Sequence, residues 1–244
     1  MMRYGQFCPI AKASEIVAER WTPLVIAEML SGSTHFSDIR RGVPLMSQTL
    51  LSKRLKELVR VGVVERQATK GQRRPVWQLT DAGRALAPVI HLLGEWGLCY
   101  AQDPLRESDL DVTILTWNIR RRVDPKVFGE RRVTVLFEFA DVPQAKRRWW
   151  IVNDRNTVDL CPTDPGFPVD IYITTDIRTM IHVWVGKLSL NGAVNSDKME
   201  IIGPRNLCGR LRSWLLLSPI NMKSLSIARP SPAAEQKRAP PVHS

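Results

Sequence analysis

The clearest chemical pattern in the chain lies between positions 47 and 60, where leucines recur beneath polar and basic side chains. Leu51, Leu55 and Leu58 fall on one face of a helix, and Ser47 is placed to cap its N-terminus. The opposite face carries short polar residues and cations, which can bond adenine edges, guanine edges or phosphates. The pattern predicts a helix that enters the major groove of DNA, with the contact residues Ser47, Gln48, Thr49, Ser52, Lys53, Arg54 and Lys56.

The elements around this helix predict a helix-turn-helix with a β-hairpin wing. Three helical segments precede it: one after Pro9, one capped by Thr22, and a short one over 35–41. Strands are predicted over 63–67 and 76–79, and the loop between them carries cations and no acid. Such a tip is solvated in many proteins, but after a groove-reading helix it is suited to contact a DNA backbone or minor groove. The candidate wing contacts are Lys70, Gln72, Arg73 and Arg74.

A set of short motifs follows in order between residues 7 and 100: a Cys-Pro start, an Arg-Trp-Thr step, Ser-x-x-x-Leu-x-x-Arg-Leu-x-x-Leu, Gly-Val-Val-x-Arg and Leu-Thr-x-x-Gly. Together they resemble the HxlR-type winged helix-turn-helix transcriptional regulators. The resemblance implies a DNA-binding homodimer that pairs through its first helix and the helix over 81–100, and that acts on palindromic double-stranded DNA. Cys8 aligns with a cysteine that senses oxidation or electrophiles in some members, so it is the candidate redox sensor.

The helix over 81–100 has an apolar face that is larger than one small domain needs. The residues of that face are Leu86, Val89, Ile90, Leu93 and Trp96. A partner surface is therefore expected along this helix, in agreement with the pairing that the resemblance implies.

The second half of the chain predicts an α+β domain with a mostly antiparallel sheet. A helix begins near Leu110, and Asp176 caps another that ends at Gly186. Between them, strands are predicted over 132–139, 148–152, 158–160 and 169–174. The end of the chain is rich in proline, alanine and charge, which predicts disorder. The predicted organisation is a winged-helix domain over 1–101, a linker over 102–109, an α+β domain over 110–218 and a disordered tail over 219–244.

Residues 176–215 place a helix ending in Trp-x-Gly before a short alanine-containing helix, a strand and a final helix. This order resembles the C-terminal part of sterol-carrier-protein-type lipid-binding domains, with Asp197 where that family commonly has glycine. The resemblance implies a pocket for an apolar or amphipathic ligand and no catalytic residues. The candidate lining residues are Phe137, Phe139, Trp150, Ile171, Ile173, Met180, Val183 and Trp184. The alternative is that these side chains, and His182 beside them, are ordinary core.

Composition narrows the class of partner. The net charge of +11 favours an acidic partner, nucleic acid before an anionic membrane. No apolar run reaches the length of a membrane span and no signal peptide is evident, so a cytoplasmic protein is expected. The cysteines and histidines are too scattered for a metal site, and no phosphate loop or nucleophile elbow occurs. Neither a metal, nor a cofactor, nor enzymatic activity is expected.

Three functions remain compatible with the sequence. The first is a dimeric transcription regulator whose second domain senses an apolar small-molecule effector or adds dimer contacts. The second is a carrier of apolar molecules, in which the winged helix contacts other proteins. The third is a degenerate enzyme domain fused to a DNA-binding module. The first is favoured, because the polar helix, the basic wing and the net charge all indicate DNA binding and no catalytic motif occurs.

Overall fold

The first helices assemble around the leucine pattern of residues 51–58. In the computed structural model, which describes residues 3–67, 75–101 and 105–227, they belong to a first compact unit that comprises the chain up to Ile90 and Asp111–Arg121. Its elements are α1 (Pro9–Val17), α2 (Thr22–Leu30), α3 (Phe36–Gly42), α4 (Gln48–Arg60), β1 (Val64–Gln67), β2 (Val76–Leu79), α5 (Asp81–Arg84), the start of α6 (Ala87–Tyr100) and α7 (Val112–Arg122).

The core of the first unit forms where the apolar faces of these helices meet the antiparallel pair β1–β2. Leu51, Leu55 and Leu58 of α4 are completely buried there, together with Val25 and Ile26 of α2. Each fully buried aliphatic side chain stabilises the fold by about 1.5–3 kcal/mol. The predicted helix-turn-helix and hairpin are confirmed in this unit.

Local capping signals were predicted correctly at one helix and wrongly at another. The Ser47 hydroxyl accepts a hydrogen bond from the Leu50 amide at 3.2 Å, which confirms it as the cap of α4. Thr22 does not cap α2, because Trp21 takes the capping position with φ 75° and the helix begins one residue early. The Thr22 hydroxyl is buried, and among the described residues it has no hydrogen-bond partner.

Helix α7 packs in the first unit, although the sequence assigned the chain from residue 110 to the second domain. The carboxylate of Glu28 on α2 is buried and accepts hydrogen bonds from Arg121 (2.6 and 3.1 Å) and from the Trp117 indole (3.0 Å), both on α7. Ser33 donates a further hydrogen bond at 2.5 Å. A Cβ atom at Gly42 would lie 2.0 Å from the same carboxylate, so α3 has to end in a glycine where it passes Glu28.

The second unit contains His91–Leu110 and the chain from Arg122 onward. It is built on a five-stranded sheet whose strands, in spatial order, are β5-β4-β3-β6-β7. The β3–β6 pair is parallel and the other three pairs are antiparallel. The elements are β3 (Val133–Phe139), β4 (Arg148–Asp154), β5 (Thr157–Cys161), β6 (Ile171–Thr175), α8 (Ile177–Trp184), α9 (Leu190–Asn195), β7 (Met199–Ile202), α10 (Arg205–Cys208) and α11 (Leu211–Trp214). The α+β class with a β-rich C-terminal region is confirmed.

The chain after α11 stays ordered through residue 227, although the sequence predicts a disordered tail from residue 219. Ser226 donates its amide to both oxygens of the buried Glu95 carboxylate at 3.0 Å, and its hydroxyl to one of them at 2.6 Å. The hydroxyl bond is the main cause that lowers the pKa of Glu95 below its ordinary value. Asn221 is also buried. The prediction of disorder is therefore wrong for residues 219–227, where backbone and side chain pack on α6; the rest of the predicted tail lies outside the described residues.

Within the described ranges, every helix is too short or too polar to cross a membrane.

We predict that Glu28→Ala destabilises the protein by about 3 kcal/mol, because it leaves the Arg121 guanidinium largely buried without its counter-charge. Urea unfolding followed by circular dichroism measures the change. The matched control is Arg132→Ala, which breaks a half-exposed pair with Asp154 and should cost less than about 1 kcal/mol. If Glu28→Ala loses no more stability than the control does, the buried ion pair makes no net contribution to the free energy of unfolding.

Candidate nucleic-acid interface

Helix α4 presents the predicted polar face to solvent as one continuous surface. Five of the predicted contact residues line an open groove of about 760 Å³, which is completed by Phe36, Glu57 and Arg60. The five are Gln48, Thr49, Ser52, Lys53 and Lys56. Their spacing places them along one side of a helix, and the buried leucines of the other side fix that side in the core. We call this surface the α4 groove.

The start of α4 carries the features that attract a phosphate. Ser47 is exposed and caps the helix, so the first amides of α4 point out of its N-terminus. Lys53 and Lys56 are exposed farther along the helix. Neither lysine has an ionic partner among the described residues, so their charge faces solvent. The α4 groove therefore combines hydrogen-bonding side chains near one end with cations along its length.

Arg54 does not belong to this surface, and its prediction as a contact residue is corrected. Its side chain is 8% exposed and points inward, where it donates to Glu57 at 2.7 Å and to Glu19 at 3.1 Å. The helical period explains the error, since residue 54 lies between the buried positions Leu51 and Leu58. Arg54 instead ties α4 to the chain beyond the end of α1.

The predicted wing contacts Lys70, Gln72, Arg73 and Arg74 lie outside the described residues. The strands that flank them are in place: Val64 pairs with Leu79, and Gln67 pairs with Val76.

The strand residues of the predicted ligand pocket lie on two faces of the sheet, and the other three belong to α8. Because paired residues share a face, Phe137 stands with Ile173 and Trp149, whereas Trp150 pairs with Leu136 on the opposite face. Trp150 is therefore wrongly grouped with the others. Most of the set is completely or almost completely buried, as ordinary core is: Phe137, Phe139, Ile171, Ile173, Met180 and Trp184. Val183 does line a cavity of about 250 Å³, with Leu188 and Leu215 among its neighbours.

Cys8 occupies the N-terminal capping position of α1, directly before Pro9. Its thiol is half-buried, and its carbonyl accepts a hydrogen bond from the Lys12 amide at 3.0 Å. The segment before it folds back along the helix, since the Tyr4 amide donates to Glu15 at 2.9 Å. That bond is the main cause that lowers the pKa of Glu15.

Helix α6 exposes an apolar stripe in the second unit, formed by Leu92, Leu93 and Trp96. Trp96 is 54% exposed, and its ring stacks on Tyr100 with centroids 6.0 Å apart. The sequence predicted Leu93 and Trp96 as part of a large apolar face. In the first unit, Val89 of the same helix and the residues Phe7 and Ile10 near the start of α1 are also exposed.

Two groups of residues were missed by the sequence analysis. Glu28 gave a signal, because it is the single acid in the apolar helix TPLVIAEML. Its partners Trp117 and Arg121 gave none, since they lie about ninety positions away. The sequence predicts His182 as a core histidine, but it is half-buried in a cavity wall together with Gly94 and Arg178.

The first part of the chain is similar to known proteins. A family model described as HxlR-like helix-turn-helix matches residues 16–104. The uncharacterized HTH-type transcriptional regulator YvaP of Bacillus subtilis is 39% identical over 97 residues, which cover 39% of this chain and 90% of YvaP. The HTH-type transcriptional regulator YodB of the same organism is 31% identical over 106 residues, covering 42% of this chain and 95% of YodB. The structure of reduced YodB aligns with 40% of this chain and 100% of its own at 30% identity and a TM-score of 0.35.

Proposed function

The chain belongs to the HxlR-like helix-turn-helix family of transcriptional regulators, and from this premise we propose that it binds a palindromic DNA operator as a homodimer. The observation that carries the proposal is the α4 groove, where five polar and basic side chains line one exposed surface above a fixed core. Helix α4 lies in the major groove of the operator, as recognition helices of this fold class do.

The residues of the α4 groove have two roles in this proposal. Gln48, near the N-terminus of α4, bonds a base edge; the amide suits adenine, which offers one donor and one acceptor in the major groove. Lys53 and Lys56 contact phosphates and set the register of the helix on the duplex. Thr49 and Ser52 are short enough to let the backbone of α4 approach the bases. The wing residues Arg73 and Arg74 add backbone or minor-groove contacts.

The homodimer forms through the apolar surface of α6 and the exposed apolar residues near α1. Leu92, Leu93 and Trp96 recur at helical spacing and leave apolar area in water. Trp96 is the type of residue that dominates interface energies. Phe7 is 98% exposed and Ile10 is also exposed, so the first helix offers apolar area of its own. A symmetric pair presents two α4 helices to two half-sites, which is the basis for a palindrome.

The second unit is proposed to be a sterol-carrier-like domain. Supporting features are the order of α8, α9 and β7, the left-handed Gly186 after Trp184, and Asp197 with φ 55° where that family commonly has glycine. An aspartate tolerates this conformation better than most residues do.

Oxidation of Cys8 is proposed as a control on DNA binding, because the other cysteines are poorly suited to it. Cys99 is buried. Burial raises the pKa of the Cys161 thiol, helped by Asp159, and burial also raises the pKa of Cys208. A raised pKa lowers the reactive thiolate fraction. Cys8 is half-buried at the N-terminus of α1.

We expect the double variant Lys53→Ala with Lys56→Ala to flatten the salt dependence of binding to the promoter beside its own gene. Each lost phosphate contact should reduce the log–log slope by about 0.9. Gln48→Ala should keep the slope and weaken binding only to the operator, since a base contact is worth about 1–3 kcal/mol of discrimination. The control is Lys126→Ala with Lys198→Ala, which removes two exposed charges from the second unit. Equal slopes in both double variants would remove α4 from the interface and favour the carrier function.

Replacing Trp96 by aspartate should raise the dimer dissociation constant by roughly thirtyfold or more, since loss of a central interface aromatic costs about 2 kcal/mol or more. Sedimentation equilibrium measures this change. Tyr172→Asp is the matched control, because Tyr172 is another exposed aromatic of the second unit. A Trp96→Asp protein that dimerises like the control would show that this stripe is not the interface.

Diamide oxidises two thiols to one disulfide and is itself reduced to the hydrazine, so it should join the Cys8 thiols of the two copies in the homodimer and lower the operator affinity of the unaltered protein and of Cys161→Ser. The Cys8→Ser protein should keep its affinity, because the reactive thiol is gone. Electrophoretic mobility shift with and without later reduction measures the effect. If Cys8→Ser responds as the unaltered protein does, Cys8 has no part in redox control.

A further inference from the structure

A cavity of about 630 Å³ opens in the second unit against the second half of α6. We call it the α6–α8 cavity. It is separate from the sheet face that the sequence predicted as a pocket. Its walls are apolar except for three basic side chains. The lining residues are Gly94, Gly97, Leu98, Ala101, Leu105, Arg178, Ile181, His182, Val185, Lys187 and Ile220.

Two glycines of α6 face this cavity, and the structure explains only one of them. A Cβ atom at Gly94 would lie 2.2 Å from Cδ1 of Ile220, so a side chain there would have to displace the end of the Ile220 side chain. A Cβ atom at Gly97 would meet nothing within 4 Å in the described structure. Glycine is disfavoured inside a helix. The absence of a side chain at Gly97 instead leaves open space in the cavity beside α6.

The charged side chains in the cavity wall favour an anionic ligand. Arg178, His182 and Lys187 line it, and no carboxylate does so among the described residues. Two hydrogen bonds hold the Arg178 guanidinium at the wall: one to the Leu105 carbonyl at 2.8 Å, and one to Glu107 on the exposed side at 3.3 Å. A guanidinium has five donors, so these bonds leave further donors for an anion.

The pKa of His182 reports the same positive environment. Burial lowers it first, and the nearby charges of Lys187 and Arg178 lower it further, against a smaller opposing effect of Asp176. A field that disfavours a proton on His182 favours a negative group beside it.

We propose that the α6–α8 cavity binds an organic anion with a compact apolar body, whose charged group lies at Arg178 and whose body covers Gly97. Its volume is within the range of small-molecule sites. Leu98, Ile181 and Val185 supply the apolar contacts. This inference stands apart from the proposed DNA binding, since ligand binding is measured without DNA.

The test compares two fluorescent probes that share one apolar body. 1-Anilinonaphthalene-8-sulfonate carries an anionic group, and N-phenyl-1-naphthylamine lacks it. The full-length protein should bind the sulfonate roughly tenfold or more tightly than the neutral probe, as a charge-assisted hydrogen bond provides. Equal affinity for the two probes would overturn the assignment of an anion.

Substitutions of cavity residues test whether the sulfonate binds in this cavity or on an exposed apolar surface. Gly97→Leu should abolish sulfonate binding and Gly97→Ala should weaken it, because the new side chain occupies open space. Arg178→Gln should reduce the preference for the sulfonate roughly tenfold. The control Arg212→Gln removes a cation that lines other cavities of the unit and should change nothing.

Unchanged binding in Gly97→Leu would overturn the proposal, as would equal losses in Arg178→Gln and Arg212→Gln. If Gly97→Leu does not fold, as judged by circular dichroism, the alanine and Arg178 variants still decide, since alanine is favoured in helices. Loss of operator binding in the salt experiments leaves these outcomes unaffected, so the two proposals fail independently.

Discussion

The burial of Glu28 is the constraint on which the first unit depends. An isolated carboxylate in a protein interior costs several kcal/mol, and it is tolerated only when donors surround it. Here the donors come from Arg121 and Trp117 on α7 and from Ser33 after α2. The same carboxylate fills the space where a side chain at residue 42 would stand. One carboxylate therefore holds α2, α3 and α7 together.

Features determined by residues close together in the sequence were predictable, and features determined by residues far apart were not. The face of α4 is determined by residues within four positions of one another, so the exposure of Gln48, Lys53 and Lys56 was predictable from spacing alone. Arg54 was misplaced although the same spacing puts it on the buried side of α4; its partners there are Glu57, three residues away, and Glu19, 35 residues away. The placement of α7 was not predictable, because its contact with Glu28 joins residues 93 positions apart.

Strand positions were predictable from the sequence, but strand faces were not. Two adjacent tryptophans, Trp149 and Trp150, both suit a buried strand, and only the pairing with Phe137 and Leu136 shows which face each occupies. The α6–α8 cavity was likewise beyond prediction. It is formed by helical positions near residues 97 and 181 that become neighbours only in the fold, and glycine at residue 97 has no local pattern that explains it.

The net charge of +11 is a weaker guide to partners than its distribution. Several arginines are engaged within the fold, among them Arg54, Arg121 and Arg132. Trp117 alone has the guanidinium groups of Arg41, Arg120 and Arg121 within 5.2–5.4 Å of its ring centre. These cations stabilise the structure and are less able to attract a polyanion. The exposed lysines of α4 are therefore stronger evidence for DNA binding than the total charge is.

The second half of α6 has two separate surfaces. Leu92, Leu93 and Trp96 face solvent, whereas Gly94, Gly97 and Leu98 face the α6–α8 cavity. The buried Glu95 between them is held by Ser226. A ligand in the cavity changes the dimer equilibrium only by the ratio of its affinities for dimer and monomer. By linkage, dimerisation then changes ligand affinity by the same factor. A ligand can favour the dimer or the monomer only if it shifts α6 between two packed positions. The close contact between Ile220 and Gly94 would oppose such a shift.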